Sequence, residues 1–364
     1  MNPVRPPRLV RSVIMDRDHP SGRGQATSKD VAAAAGVAQS TVSYVMTGKR
    51  SVTADVRRRV EKAMRDLDYH PNAGARALRG AKTNVIALAV HLGADADVGD
   101  TLPYIDTIVE EARNREYEVV LLTTDEGPGG LQRLAGRRVA DAFVLMDVRT
   151  RDDRLATAAD LGCPVVLFGR PADSHGLDAV DFDTGRAAAL LVDELAYTGH
   201  RHIVVVGDSP EADALEFRFI SEFHSSARVR AQERGVTIDI VHRESNGWAG
   251  FESVADRILV HRDDRLGIIA RTPRVTEWVV QLARLHGLVL GRDVSVVALC
   301  TDSTAREFDP AITNVSPEPR ELSRRAMGVL FERIVGDDQP PRLELVQPRG
   351  ITRRGSTTDH GLSE

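Results

Sequence analysis

The sequence predicts a small all-α head carrying a helix-turn-helix, followed by an α/β body of two doubly wound, parallel-sheet subdomains. Three observations lead there. Residues 28–68 hold three short helical patterns, whereas from Asn84 onward apolar β-branched runs alternate with helical ones. The charge divides at the same place. Residues 1–82 carry 16 Lys/Arg against 7 Asp/Glu, a net of +9, and the remainder carries 32 against 46, a net of −14. The chain's four lysines, Lys29, Lys49, Lys62 and Lys82, all fall in the basic part. A basic head on an acidic body fits a polyanion-binding module joined to something else. Charge alone fits an arginine-rich tail without a partner equally well.

A length of 364 residues exceeds one ordinary core, so two or three domains are expected. Residues 1–26 are Arg- and Pro-rich and read as a disordered basic arm. Their longest apolar run, "VIM", is far short of a signal peptide's apolar region. No apolar run reaches the length of a membrane span. Two cysteines, Cys163 and Cys300, stand far apart without a Cys-x-x-Cys, as in a reducing cytoplasm. The reading is therefore cytoplasmic, with no membrane partner.

The first helix starts at Thr27, where Asp30 completes a capping box, and stops at Gly36. The second lies in "VAQSTVSYVMTG". At about 100° per residue, Gln39, Ser43, Thr47, Ser40 and Tyr44 occupy about 140° of arc, while Val42, Val45 and Met46 face the other way. The polar face carries no acid. Its amide and hydroxyls can bond base edges and phosphates. A helix, a tight turn at Gly36-Val37 and this helix read as helix-turn-helix over residues 27–70. A three-helix bundle with a polar outer face is the alternative. The third helix starts after Thr53 and runs to about Asp68, with Val56, Val60, Met64 and Leu67 as its apolar stripe. "PNAGARALRG", within residues 71–82, is a Pro-started piece too short to be a stable helix in water, and Gly74 weakens it further.

Nine strands are expected in the body: 85–90, 118–123, 142–146, 164–168, 178–182, 202–207, 237–242, 266–270 and 294–299. Continuous apolar strands separated by helices mean parallel sheets buried on both faces. Nine are too many for one comfortable sheet, hence two subdomains. No Gly-x-Ser-x-Gly, His-Glu-x-x-His, phosphate-binding loop or dinucleotide fingerprint occurs, so no enzyme, cofactor or metal is expected. His200 and His202 are two apart and point opposite ways on a strand.

With these residues in view, the stretch from Thr27 to Gly80 resembles the DNA-binding headpiece of the lactose-repressor/galactose-repressor (LacI/GalR) family of bacterial regulators. Asp30-Val31-Ala32, Ala35-Gly36-Val37, Thr41-Val42-Ser43, Val52-Thr53, Leu67, Tyr69, Pro71-Asn72 and Ala75-Arg76-Ala77-Leu78 carry the likeness in order. The resemblance implies that Gln39, Ser40 and Tyr44 reach base edges and that Thr41, Ser43 and Thr47 hold phosphates. It makes residues 71–82 a hinge helix that orders on DNA, with Asn72, Ala75 and Arg76 in the minor groove and Leu78 as the wedge. Ala38 stands where the family usually has a capping Ser, and Tyr44 where Arg is common, which alters the expected half-site. One prediction follows from the hinge: Leu78→Ala weakens operator binding while the body still folds, and unchanged affinity with unchanged DNA bending rejects the wedge.

The likeness continues through "AVDFDTGRAAALLVDELAYTGHRHIVVVG", "GRDVSVVAL", "DPAITNV" and "ITRRGST". It implies a body of periplasmic-binding-protein type over 84–357, with a short tail at 358–364. Subdomain 1 is expected at about 84–199 plus 316–338, and subdomain 2 at about 200–312 plus 343–357. Crossings would fall near His200, Thr313–Val315 and Asp338–Leu343. The implied partners are a pseudo-palindromic operator bound by a homodimer, usually for repression, and a small-molecule effector in the cleft. Candidate effector residues are Tyr104, Asp147, Arg170, Asp183, Arg218, Trp248 and Arg271. Sugar-binding members carry an Arg where Phe223 stands, an Asn-Asp pair at Thr272-Pro273 and an Asp at Cys300. Losing these hydrogen-bonding groups points away from an ordinary sugar and leaves three outcomes: a less polar ligand, a different anion-binding arrangement using Arg170, Arg218 or Arg271, or no ligand. Arg218 lies one and a half turns before Phe223 and would substitute only if that helix shifts. The rival class is a cytoplasmic α/β enzyme or solute binder with an incidental basic head.

Overall fold

The computed structural model describes residues 26–47, 51–69, 82–92 and 98–357. The chain forms two compact units, divided at Ala81/Lys82.

The head is three helices: α1 (Ser28–Ala35), α2 (Gln39–Thr47) and α3 (Ala54–Asp66). Thr27 and Asp30 close the capping box, the Thr27 N–H donating to Asp30 Oδ2 at 2.7 Å. Gly36 ends α1 at φ 63°, the left-handed region that glycine enters without strain. The Val37 N–H then donates to Ala32 O and the Gly36 N–H to Ala33 O, so the turn satisfies the last carbonyls of α1. Thr53 caps α3. Val31, Ala32, Ala35, Val42, Val45, Val60 and Ala63 make the core, with Val56, Met64 and Tyr69 against it. Leu67 departs from the expected stripe. The helix has ended by Asp66, Leu67 is exposed, and Tyr69 folds back instead, its N–H donating to Met64 O.

The body holds two six-stranded sheets. The nine expected strands are present with ends shifted by at most one residue: β1 (Val85–Val90), β2 (Glu118–Thr123), β3 (Ala142–Leu145), β4 (Val165–Phe168), β5 (Asp178–Phe182), β6 (His202–Val206), β7 (Thr237–Val241), β8 (Leu266–Ala270) and β9 (Ser295–Leu299). Three short ones join them: β10 (Thr313–Val315), β11 (Leu343–Val346) and β12 (Ile351–Thr352). The first sheet runs β11-β5-β4-β3-β1-β2 and the second β12-β10-β9-β8-β6-β7. All recorded pairings are parallel except β10 with β12. Each sheet reverses its winding between its first and third strands, which places a crevice at β1/β3 and another at β6/β8.

The boundaries differ from expectation. The helix Thr184–Tyr197 packs on β8, β9, β10, β12 and the helix Arg218–Arg234, so it belongs with the second sheet. The first crossing is therefore at Asp183, not near His200. β10 pairs with β9, so the second crossing follows Val315. The helix Pro319–Ile334 then packs on β3, β4 and β5. β11 pairs with β5, so Leu343–Val346 completes the first sheet, and the third crossing lies at 347–350 rather than 338–343. Apolar periodicity identifies a strand but not which edge takes it; that choice is made by hydrogen bonding to β5.

Candidate functional site: a recognition helix and an inter-sheet cleft

In the head, Val42 is fully buried and Val45 nearly so, while Gln39 and Ser40 are exposed and Thr41, Ser43, Tyr44 and Met46 are half-buried. Packing therefore presents the amide and hydroxyl face of α2 outward. Gln39 Nε2 donates to Ser28 Oγ at 2.7 Å. The Thr47 side chain, the hinge residues Asn72, Ala75, Arg76 and Leu78, the arm at 1–25 and the tail from 358 lie outside the described residues.

In the body, a cleft opens at the carboxyl ends of the strands. It has two connected chambers of ≈ 190 Å³ and ≈ 590 Å³ that share Asp100, Thr101, Asp147, Phe219 and Arg271. Both crevices feed it. His91 and Asp147 follow β1 and β3, while Asp208 and Arg271 follow β6 and β8. Six of the seven expected residues line the cleft: Tyr104, Asp147, Arg170, Arg218, Trp248 and Arg271. Asp183 does not. Its carboxylate caps the helix Thr184–Tyr197, accepting from the Arg186 N–H at 2.8 Å, and also accepts from Gln347 Nε2.

Among the described residues, five arginines line the space. Arg271, Arg170 and Arg218 each contact a carboxylate, Arg274 stands 3.6 Å from Glu277, and Arg243 donates to Gly207 O and lies 5.3 Å over the Trp278 ring. Arg271 pairs with Asp208 through two nitrogens, both side chains being nearly buried, and lies 5.5 Å over the Phe219 ring. Burial pushes the Asp208 carboxyl up, but the Arg271 charge and hydrogen bond outweigh it and hold the group below the usual carboxylate range. Arg170, from the first subdomain, and Arg218, from the second, converge on Glu222. Arg218 opens the helix Arg218–Arg234 and lines the cleft from there. Arg170 Nε also stands 3.7 Å from Asp181 Oδ2. Asp181 is pushed up to about 6 by burial, opposed by the Phe182 N–H and Arg170. The Arg170–Glu222 pair bridges the subdomains. Beside it, the Thr150 N–H and hydroxyl both donate to Glu216 O.

The Asp147 carboxylate accepts from the His91 N–H at 2.8 Å and is raised chiefly by burial. Its backbone takes φ 52°, and the buried Arg154, paired with Asp152, donates to the carbonyls of Met146 and Asp147. That buried pair fixes the end of β3, and with it the direction of Asp147. Beside Asp208, His224 Nε2 lies 3.8 Å from Oδ2; burial lowers this imidazole to about 4 despite the carboxylate.

Sequence reasoning missed Asp208, Asp181, Glu222, Phe219, Arg243 and Trp278. Asp208 was readable, since it follows a strand as Asp147 does. Glu222 was not, because only the fold brings it to Arg170, 52 positions away. The departures from the sugar-binding pattern have structural counterparts. Phe223 and Cys300 are fully buried in separate hydrophobic clusters, so neither reaches a ligand. Thr272 caps the helix Pro273–Leu285.

Residues 27–72 match the family model "Bacterial regulatory proteins, lacI family", and residues 192–357 match the "Periplasmic binding protein-like domain". The HTH-type transcriptional regulator CelR of Thermobifida fusca is 28% identical over 343 residues, covering 89% of this chain and 96% of its own. The HTH-type transcriptional repressor PurR of Haemophilus influenzae (strain PittEE) is 25% identical over 322 residues, covering 86% and 93%. Among solved structures, a lac repressor dimer bound to operator and the anti-inducer ONPF aligns with a TM-score of 0.78 at 19% identity, covering 92% of this chain and 100% of that one. A CelR–cellobiose complex aligns at 0.64 and 23% identity, covering 91% and 99%. A helix-turn-helix head joined to a body of this kind defines a DNA-binding transcriptional regulator. The chain belongs to the lacI family of bacterial regulatory proteins. No described helix is long and apolar enough to cross a membrane.

Proposed function

We propose that the chain is a cytoplasmic repressor that binds a pseudo-palindromic operator as a homodimer and responds to a small molecule in the inter-sheet cleft. The exposed, acid-free face of α2 carries the DNA half of this reading. Gln39, Ser40 and Tyr44 read bases; Thr41, Ser43 and Thr47 hold phosphates; Asn72, Ala75, Arg76 and Leu78 serve the minor groove. A two-fold dimer presents two such helices to two half-sites. The effector works through unequal affinity for two arrangements of the subdomains.

The CelR structure holds cellobiose, but this cleft favours a different class of ligand. Arg170, Arg218 and Arg271 are already paired with carboxylates, the sugar-holding positions Phe223 and Cys300 are core, and aromatic rings line both chambers: Tyr104, Phe168 and Phe219 in one, Trp248 and Trp278 in the other. A compact ligand with an apolar or aromatic body and a few hydrogen-bonding groups fits best. A second reading, a regulator without an effector, draws support from the Arg170–Glu222 and Thr150–Glu216 bridges, which join the two sides of the cleft with protein groups alone.

Gel shifts with DNA from upstream of its own gene test the first half. Affinity is expected to fall roughly 10³-fold or more between 50 and 200 mM salt, as for a protein making six or more phosphate contacts. A flat salt response contradicts operator binding. For the second half, a thermal-shift screen of compounds handled by neighbouring genes is read against cellobiose. A ligand at about 100 times its Kd adds about 2.7 kcal/mol to the body's stability. Stabilisation by cellobiose alone contradicts the ligand class, and stabilisation by none favours the second reading.

A further inference from the structure

From the hydrogen bond between Ser28 and Gln39 we infer that Ser28 is a specificity-determining positioning residue, which holds the Gln39 amide to select an adenine in each operator half-site. The inference rests on the operator reading above and deepens it.

The two side chains come from different helices, eleven positions apart, and both helix ends are held rigidly. Ser28 is the first residue of α1, where Thr27 and Asp30 lock the backbone with their own capping box. The cap is thus complete without the Ser28 hydroxyl, which accepts instead from Gln39 Nε2 at 2.7 Å. Gln39 is the first residue of α2, whose start is tied down by the Thr41 and Val42 N–H groups donating to Ala38 O. Gln39 is otherwise exposed, on the acid-free face.

A glutamine amide has two N–H donors and one carbonyl acceptor. With one N–H given to Ser28, one N–H and the carbonyl remain. That is the pair that matches adenine's N7 acceptor and N6 amino donor in the major groove, and no other base edge offers that order of groups to an amide. An untethered glutamine has three side-chain torsions to order on binding, whereas one already held at its amide has less freedom to lose. The hydroxyl therefore acts through Gln39 on affinity for one base pair, and leaves the rest of the site alone.

The test uses the full chain and selection from a random double-stranded DNA library, followed by gel shifts on the enriched sequence. Wild type, Ser28→Ala, Ser28→Thr, Gln39→Ala and the Ser28→Ala/Gln39→Ala double variant are compared. Wild type is expected to enrich adenine at one position per half-site, and Gln39→Ala to erase that preference. Ser28→Ala is expected to cut the same preference roughly three- to tenfold and leave the neighbouring positions unchanged. Ser28→Thr, which keeps a hydroxyl, retains it, and Ser28→Ala has no further effect once Gln39 is alanine. Equal weakening on all sequences by Ser28→Ala overturns the inference, because the hydroxyl then serves the DNA backbone. So does full additivity in the double variant, or a Gln39-dependent base other than adenine. If wild type enriches no sequence, the operator reading fails and takes this one with it. An enriched operator with an undiminished adenine preference in Ser28→Ala defeats the positioning role alone.

Discussion

Arg271→Met is expected to destabilise the body by about 3–5 kcal/mol, because it leaves the Asp208 carboxylate buried without its guanidinium. Asp208 sits at the carboxyl end of β6, facing Arg271 after β8, with His224 at 3.8 Å and Arg243 also lowering its carboxyl. Both tryptophans, Trp248 and Trp278, lie in the body, so urea denaturation followed by tryptophan fluorescence reads this unit alone. The pH dependence should reverse in sign. In the wild type the Asp208 carboxyl is lowered in the folded state, so its stabilisation is present above the unfolded value of about 3.9 and is lost as pH falls through the folded one. In the variant, burial acts unopposed by Arg271 and raises the carboxyl. The deficit is then largest at neutral pH and shrinks on acidification toward pH ~4. His224, freed of the Arg271 charge, takes up a proton more readily and limits the loss. Adding Asp208→Asn should recover much of the stability. A variant as stable as wild type at pH 7 would show that the pair is not formed in solution.

Val42→Asp should abolish DNA binding and leave the body untouched. Val42 is completely buried in a core of seven small or β-branched side chains. A folded stretch of about 45 residues has only about 2–7 kcal/mol of stability. A carboxylate placed there has no cation beside it among the core residues, and its unpaired burial costs several kcal/mol, more than the head can absorb. Gel-shift affinity should fall by more than about 100-fold, while the tryptophan-detected unfolding of the body keeps its midpoint. Val42→Ala, which removes bulk without adding charge, should fall between. A body transition that moves with Val42→Asp would mean that the two units unfold together.

Much of the molecule was legible along the chain because its signals are local. The capping box at Thr27, the left-handed Gly36, the cap at Thr53 and the inward set Val42, Val45 and Met46 each depend on residues within one turn of helix. The nine long strands were legible because each is a continuous apolar run. Most of the candidate cleft residues were chosen by one rule, that ligands gather beyond the carboxyl ends of parallel strands, and Arg218 as a stand-in within a helix; six of the seven line the cleft. Asp183 shows where that rule fails: a residue after a strand and before a helix is as well suited to cap the helix as to face the crevice.

The sequence by itself determined the order of domains, the helix-turn-helix, the parallel-sheet body and the face that α2 turns outward. Periodicity and caps are short-range physics, and they survive without knowledge of the partners. Tertiary structure alone decided which sheet receives the helix Thr184–Tyr197 and the strand Leu343–Val346, since both choices rest on pairing with distant elements. It alone joined Arg170 to Glu222, Arg271 to Asp208 and Gln39 to Ser28. A charged or amide side chain carries no mark of its partner in the sequence. Its role is set by whichever group the fold brings within about 3 Å, where a hydrogen bond or ion pair forms.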